Sequence, residues 1–300
     1  VEEYDEEEEW DEDQEGDWEG EDWEEDDGTL DWSEAWDEDG DGEISAGEFS
    51  RTVSFGVLSM LPLFLGYEWA LSTAGQDQLG TRSMAEALLS LPIRSLAPSN
   101  AALVRTAGVG IIALYALVSS YRRGASVLPK LVRVLVEGAV AGVLLGPILA
   151  LTSRAAEPYV GAMMMGQPAD VPELRRAAFV MGGAAFEELL FRVIVVAIAF
   201  LVVRRGADWM GMGGRLSSLF AAVTATAVSA MLFAFSHTEI VARWMGGGGE
   251  PWDPALFTWR AASAVLLTAI VFWRGVGVAA WAHAFFNLSL LIGIHPPALL

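Results

Sequence analysis

The chain has 300 residues, is 53% hydrophobic and contains no cysteine, which excludes disulfides, thiol nucleophiles, cysteine metal sites and a lipidated cysteine. Its net charge of −22 averages two unlike parts: residues 1–50 hold 27 acids and no Lys or Arg, whereas residues 51–300 hold 13 acids and 18 bases in a strongly apolar background. The expected organisation is a disordered acidic tail over 1–50, followed by an all-α, polytopic membrane helix bundle over 51–300.

From Val1 to Leu30 the chain is Glu and Asp with glycines and isolated tryptophans. Such a segment buries too little surface to offset its ordering entropy, so it is expected to stay solvated and disordered. Trp10, Trp18 and Trp23 offer anchors for docking a basic partner. The acidic start has no basic n-region, so no signal peptide of the usual kind is expected. Between Asp37 and Glu48 the acids Asp37, Asp39, Asp41 and Glu48 fall at loop positions one, three, five and twelve. Gly42 stands at six, Glu43 at seven and Ser45 at nine, and the stretch resembles an EF-hand loop. Two readings stay open: weak calcium binding, weak because no second hand is visible, or a pattern that a segment this acidic produces by composition alone.

A membrane-spanning helix needs about 20 mostly apolar residues. Apolar runs lie at 52–72, 101–120, 131–152, 175–203, 217–237, 258–273 and 276–294, and Ser83 to Leu96 can add an interfacial or re-entrant helix. The sequence therefore predicts seven or eight spans. With seven, the basic loops holding Arg122, Arg123, Lys130 and Arg133, then Arg204, Arg205 and Arg215, then Arg274, share one side. That side reads as cytoplasmic by the positive-inside rule. The expected location is a bacterial inner membrane, in contact with lipid, and nothing favours a nucleic-acid partner.

Within the fourth run, Ala184 to Arg192 carries two adjacent carboxylates and an arginine. Charges in such a place cost several kcal/mol unless paired or used. Glu188 and Arg192 are four apart and can pair on one helical face, which leaves Glu187 as the free carboxylate facing a cavity. Two of the chain's three histidines, His237 and His283, also lie in or at the end of apolar runs, and Asn287 shares a helical face with His283. His295, before two prolines, reads as an interface residue without a role.

A carboxylate, two imidazoles and an amide on three helices suit water activation. Glu187 can serve as general base with His237 holding the water, while His283 and Asn287 donate to the oxygen of a tetrahedral intermediate. Glu187, His237 and His283 could instead ligate one zinc with a water in the open position; this is the lesser reading, because an amide is a weak fourth ligand. No cofactor is required in the preferred reading. A poised serine in a Gly-rich setting, an intramembrane Asp pair and a His-Glu-x-x-His helix are all missing from the runs. A non-proteolytic scaffold or permease using buried charges is the alternative.

Glu187-Glu188-x-x-x-Arg192, Phe233-x-x-x-His237 and His283-x-x-x-Asn287, in this order on successive apolar segments, resemble the CPBP family of CAAX prenyl endopeptidases and bacteriocin-processing membrane proteases, often called Abi proteins. The similarity covers about residues 100–294. It implies a glutamate-dependent endopeptidase acting on a membrane-associated protein or peptide. Glu187 would be the catalytic carboxylate, His237 its partner on water, His283 and Asn287 the oxyanion side, and Glu188 and Arg192 supporting residues. Members have been described both as metalloproteases and as metal-free glutamate enzymes.

Overall fold

A computed structural model describes residues 46–74, 83–96, 100–122, 127–152, 172–244 and 251–292. The described residues form helices and short connections, with no strand among them. In chain order the helices are α1 (Ala46–Ala74), α2 (Met84–Leu96), α3 (Ala101–Arg122), α4 (Val127–Thr152), α5 (Glu173–Glu188), α6 (Val196–Trp209), α7 (Gly214–Ser236), α8 (Glu239–Trp244), α9 (Pro254–Arg274) and α10 (Val276–Leu291). A π-helical turn, Leu189–Val195, joins α5 to α6.

Local signals explain the boundaries. At the start of α9 the Asp253 carboxylate accepts from the backbone N–H of Ala255 and of Leu256, at 2.8 and 3.0 Å, and Pro254 occupies the first helical position, where its missing donor is not needed. α9 and α10 are separated only by Gly275, whose φ of 85° a residue with a Cβ rarely adopts.

The bundle is drawn together by glycines placed where helices touch. Gly138 and Gly142 on α4 face α10: a Cβ on Gly142 would lie 2.5 Å from the Ala282 carbonyl, and one on Gly138 would collide with Trp281. Small residues four apart let two backbones approach closely, which is how membrane helices pack without a solvent-driven force between them. On α5, Gly182 seats against α1, where a Cβ would lie 2.5 Å from Tyr67 Cβ and 2.6 Å from the Leu63 carbonyl. Around this contact Met60, Leu63, Phe64, Tyr67, Ala185 and Phe186 form the largest buried apolar cluster.

The outside of the bundle is apolar as well. Val132, Val136, Val140, Val143 and Leu144 are exposed along α4, as are Leu103, Ile111 and Leu114 along α3. Faces of this kind are not left to water in a soluble monomer. Lipid is their natural solvent, and the chain is an integral, multi-pass membrane protein.

The number of spans is a correction. Among the described residues, four helices are long and apolar enough to cross a membrane, Val53–Thr73, Val127–Leu149, Gly214–Ser236 and Pro254–Arg274, rather than the seven or eight expected. The others fail on length or continuity. The last apolar run is a helix of 16 residues, about 24 Å at the usual rise and short of a hydrocarbon core of about 30 Å. Within α3 and α2 the apolar stretches Leu103–Ser119 and Met84–Ile93 are likewise short. The run at 175–203 is broken by the π-helical turn and carries Arg175, Arg176, Glu187, Glu188 and Arg192. The side assigned to the loops rested on seven spans and falls with that count. Arg274 is also not a loop residue: it ends α9 and pairs with Glu137 of α4, Nε to Oε2 at 2.9 Å.

The acidic residues 1–45, with Asp37, Asp39, Asp41, Glu43 and Ser45 of the calcium-like loop, lie outside the described residues, as does the side chain of Glu48. His295 lies outside them too.

Candidate active site

Three helices bring their polar groups to one place. Glu187 and Glu188 end α5, His237 caps the C-terminus of α7, and His283 stands in the middle of α10. The Glu187 carboxylate lies between the two imidazoles, with Oε1 3.7 Å from His237 Nε2 and Oε2 3.6 Å from His283 Nε2. These separations exceed a direct hydrogen bond, but a water at about 2.8 Å from both atoms of either pair would fit off the line between them.

The far side of each ring is held. His237 Nδ1 lies 2.8 Å from the Phe233 carbonyl, which can only accept, so Nδ1 carries the proton and Nε2 faces Glu187. His283 Nδ1 lies 2.8 Å from Glu188 Oε1, and the same logic places a proton on Nδ1 and turns Nε2 toward Glu187. Glu188 is fully buried. It thus orients an imidazole through the nitrogen remote from Glu187, the arrangement a carboxylate has behind histidine in hydrolytic triads.

Arg192 Nε lies 3.2 Å from Glu188 Oε2, an ion pair whose N–H is not aligned as a hydrogen bond. The guanidinium instead lies over the Phe233 ring, 4.5 Å from its centroid, a cation–π contact strengthened by the burial of Arg192. Phe233 also meets Phe191 edge-on and contacts both His237 and His283, at centroid distances of 5.4, 4.7 and 5.9 Å. Phe233 is therefore the packing hub under both imidazoles.

The π-helical turn starts directly after Glu188 and contains Arg192. Such turns loosen the regular ladder and often mark functional positions. Here the Phe191 carbonyl is satisfied by the Ser229 hydroxyl of α7, at 2.8 Å.

Asn287, one turn beyond His283, lines a cleft with Phe233, Trp259, Arg260, Ser263 and His283. Leu145, Leu149, Leu267, Phe286 and Leu290 make its walls largely apolar.

Glu187, His237 and His283 are thus brought together, Asn287 opens onto the adjoining cleft, and Glu188 and Arg192 sit beneath. Three further features escaped the sequence reading. Glu188 serves His283 as well as Arg192. Arg260 lines the cleft from α9. Ser83, before α2, places its hydroxyl 3.5 Å from Glu187 Oε1. The intramembrane charge of Arg260 was available as a signal, whereas Ser83 carried none. Among the described residues, no group of three or more His, Asp or Glu side chains is arranged to hold a metal ion.

Residues 174–289 match the family model described as Rce1-like, Type II CAAX prenyl endopeptidase Rce1-like. This segment contains Glu187, Glu188, Arg192, His237, His283 and Asn287. No curated protein and no solved structure matches the chain.

Proposed function

With residues 174–289 placed in the Rce1-like CAAX protease (CPBP) family, we propose that the protein is a glutamate-dependent intramembrane endopeptidase that hydrolyses a peptide bond of a membrane-associated protein or peptide. The observation that carries the reading is a carboxylate flanked by two oriented imidazoles at 3.7 and 3.6 Å beside an apolar cleft. Glu187 takes a proton from a water held between it and His237 Nε2, and the hydroxide adds to the scissile carbonyl carbon. The resulting oxyanion accepts hydrogen bonds from the Asn287 amide and from His283 Nε2. Since Nδ1 already donates to Glu188, His283 does this in its doubly protonated form, with carboxylates on both sides. Collapse breaks the C–N bond, and the proton held by Glu187 passes to the leaving amine. Oxyanion donors of this kind contribute about 3–4 kcal/mol each when removed singly.

The test uses two internally quenched peptides, one with a farnesylated cysteine three residues from a free C-terminus and one without the lipid, added to full-length protein in detergent. Glu187→Gln, His237→Ala and His283→Ala should each abolish cleavage while leaving the amount of membrane-inserted protein nearly unchanged. Cleavage by the Glu187→Gln variant at the wild-type rate would overturn the mechanism. The reading takes the reaction as metal-free, because a neutral amide would be a poor fourth zinc ligand and one carboxylate cannot freely be both ligand and base. Activity should persist after thorough chelation. One zinc per chain, lost together with activity, would reverse that part of the reading.

A further inference from the structure

We propose that Ser83 is a positioning residue for the Glu187 carboxylate, held in place by Tyr67 and by a buried ion cluster on α1, α2 and α3. The proposal rests on the reading of Glu187 as the reacting carboxylate, and extends the site to a part of the chain outside residues 174–289.

Ser83 immediately precedes α2, and its carbonyl accepts the Ala87 N–H at 2.9 Å, the first bond of that helix. Its backbone N–H donates to the Tyr67 hydroxyl at 3.2 Å. Tyr67 is fully buried, stacked on Phe179 at 5.0 Å between centroids and edge-on to Phe186 at 5.1 Å. Both rings belong to α5, and Phe186 directly precedes Glu187. Tyr67 therefore ties the position of Ser83 to the same helix whose carboxylate it approaches. The Ser83 hydroxyl can donate to Glu187 Oε1, the oxygen that also faces His237, whereas Oε2 faces His283. A donor on Oε1 fixes the rotation of the carboxylate, so that each oxygen keeps its own imidazole.

The first turn of α2 is anchored independently. Glu86 is fully buried and pairs with Arg105 of α3. Arg105 also pairs with Glu68 of α1, Nε to Oε1 at 2.8 Å, and donates to Ser90 Oγ at 2.9 Å, while Ser90 donates to Glu86 Oε1 at 2.9 Å. Three helices are locked to one another one turn away from Ser83. Such a cluster is costly to bury and is a specific way to fix one arrangement. Here it fixes where α2 begins.

The experiment compares full-length wild type, Ser83→Ala, Ser83→Thr and Glu187→Gln by two readouts. Dicyclohexylcarbodiimide modifies protonated carboxyl groups in apolar surroundings, and peptide mapping by mass spectrometry gives its rate at Glu187 without any substrate. Removing a hydroxyl donor from a carboxylate should raise that rate roughly three- to tenfold in Ser83→Ala, with wild-type behaviour restored by Ser83→Thr and thermal stability unchanged. The quenched peptides should show kcat lowered by a similar factor with KM unaltered. An unchanged labelling rate in Ser83→Ala overturns the proposal, as does a loss of thermal stability that Ser83→Thr does not restore. Cleavage by Glu187→Gln would instead defeat the proposed function, leaving the labelling result to judge the contact between Ser83 and Glu187.

Discussion

Glu188 has a carboxylate oxygen on each of two partners, Oε1 on His283 Nδ1 at 2.8 Å and Oε2 beside Arg192 Nε at 3.2 Å. Replacing it with alanine removes both at once. Arg192 would be left as an uncompensated cation among apolar residues, a change that costs about 3–5 kcal/mol when a buried pair is broken. His283 would lose the bond that orients its ring. The expected outcome is a large fall in thermal stability together with loss of cleavage, unlike Glu187→Gln, which should remove cleavage alone. Unfolding curves and peptide hydrolysis on the same preparation check this, and a stable, active Glu188→Ala protein would contradict it. The pairing of Glu188 with Arg192 was legible in the sequence because both residues lie on one helix, four apart. The Glu188–His283 bond was not, because it joins residues 95 positions apart on different helices. The same limit hid Ser83, an ordinary serine until the fold sets it beside Glu187. Arg105, Glu68 and Glu86 were legible as charges in apolar runs, but nothing in their spacing says that they meet.

At the level of helices, the existence of each apolar element could be read from the sequence, whereas its capacity to span a membrane could not. The run at 276–294 looked long enough because apolar residues continue past the helix end at Leu291, and the run at 175–203 because its π-helical turn leaves the hydropathy pattern almost untouched. Packing contacts were also hidden. Gly138 and Gly142 are two of the 31 glycines, yet their lack of a side chain sets the distance between α4 and α10, the helix that carries His283 and Asn287. Gly142→Leu should therefore force the two helices apart, destabilise the protein by about 1–3 kcal/mol or more through overpacking, and reduce cleavage by displacing His283. Gly108 and Gly110 on α3 have open space where a Cβ would go. Gly108→Ala should leave cleavage unchanged and raise stability by about 0.4–1 kcal/mol, since alanine restricts the unfolded chain and favours helix. Melting temperatures of the two variants decide the matter: equal effects would mean that the close approach of α4 to α10 is not specific.

The molecule as a whole turns apolar surface outward, and α4 does so most plainly. Within its candidate span, Val127–Leu149, only 22% of the most apolar stretch is buried inside the protein. One side of the helix carries Gly138, Gly142, Leu145 and Leu149 against the bundle, and the other carries Val132, Val136, Val140, Val143 and Leu144 outward. In water this second face would be a large exposed patch, which invites aggregation. In lipid it meets a solvent as apolar as itself. Val140 lies near the middle of the span and is 55% exposed. An arginine there should oppose insertion by about 2.5–3.5 kcal/mol on the scale for helix centres, with little direct effect on the polar site, because the substituted face points away from α10. Val140→Leu changes size without charge and serves as the control. After alkaline extraction of membranes, Val140→Leu should remain at the wild-type level and Val140→Arg should fall well below it. Equal retention of both variants would mean that this face of α4 is not in contact with hydrocarbon and that the outward apolar surface has another cover.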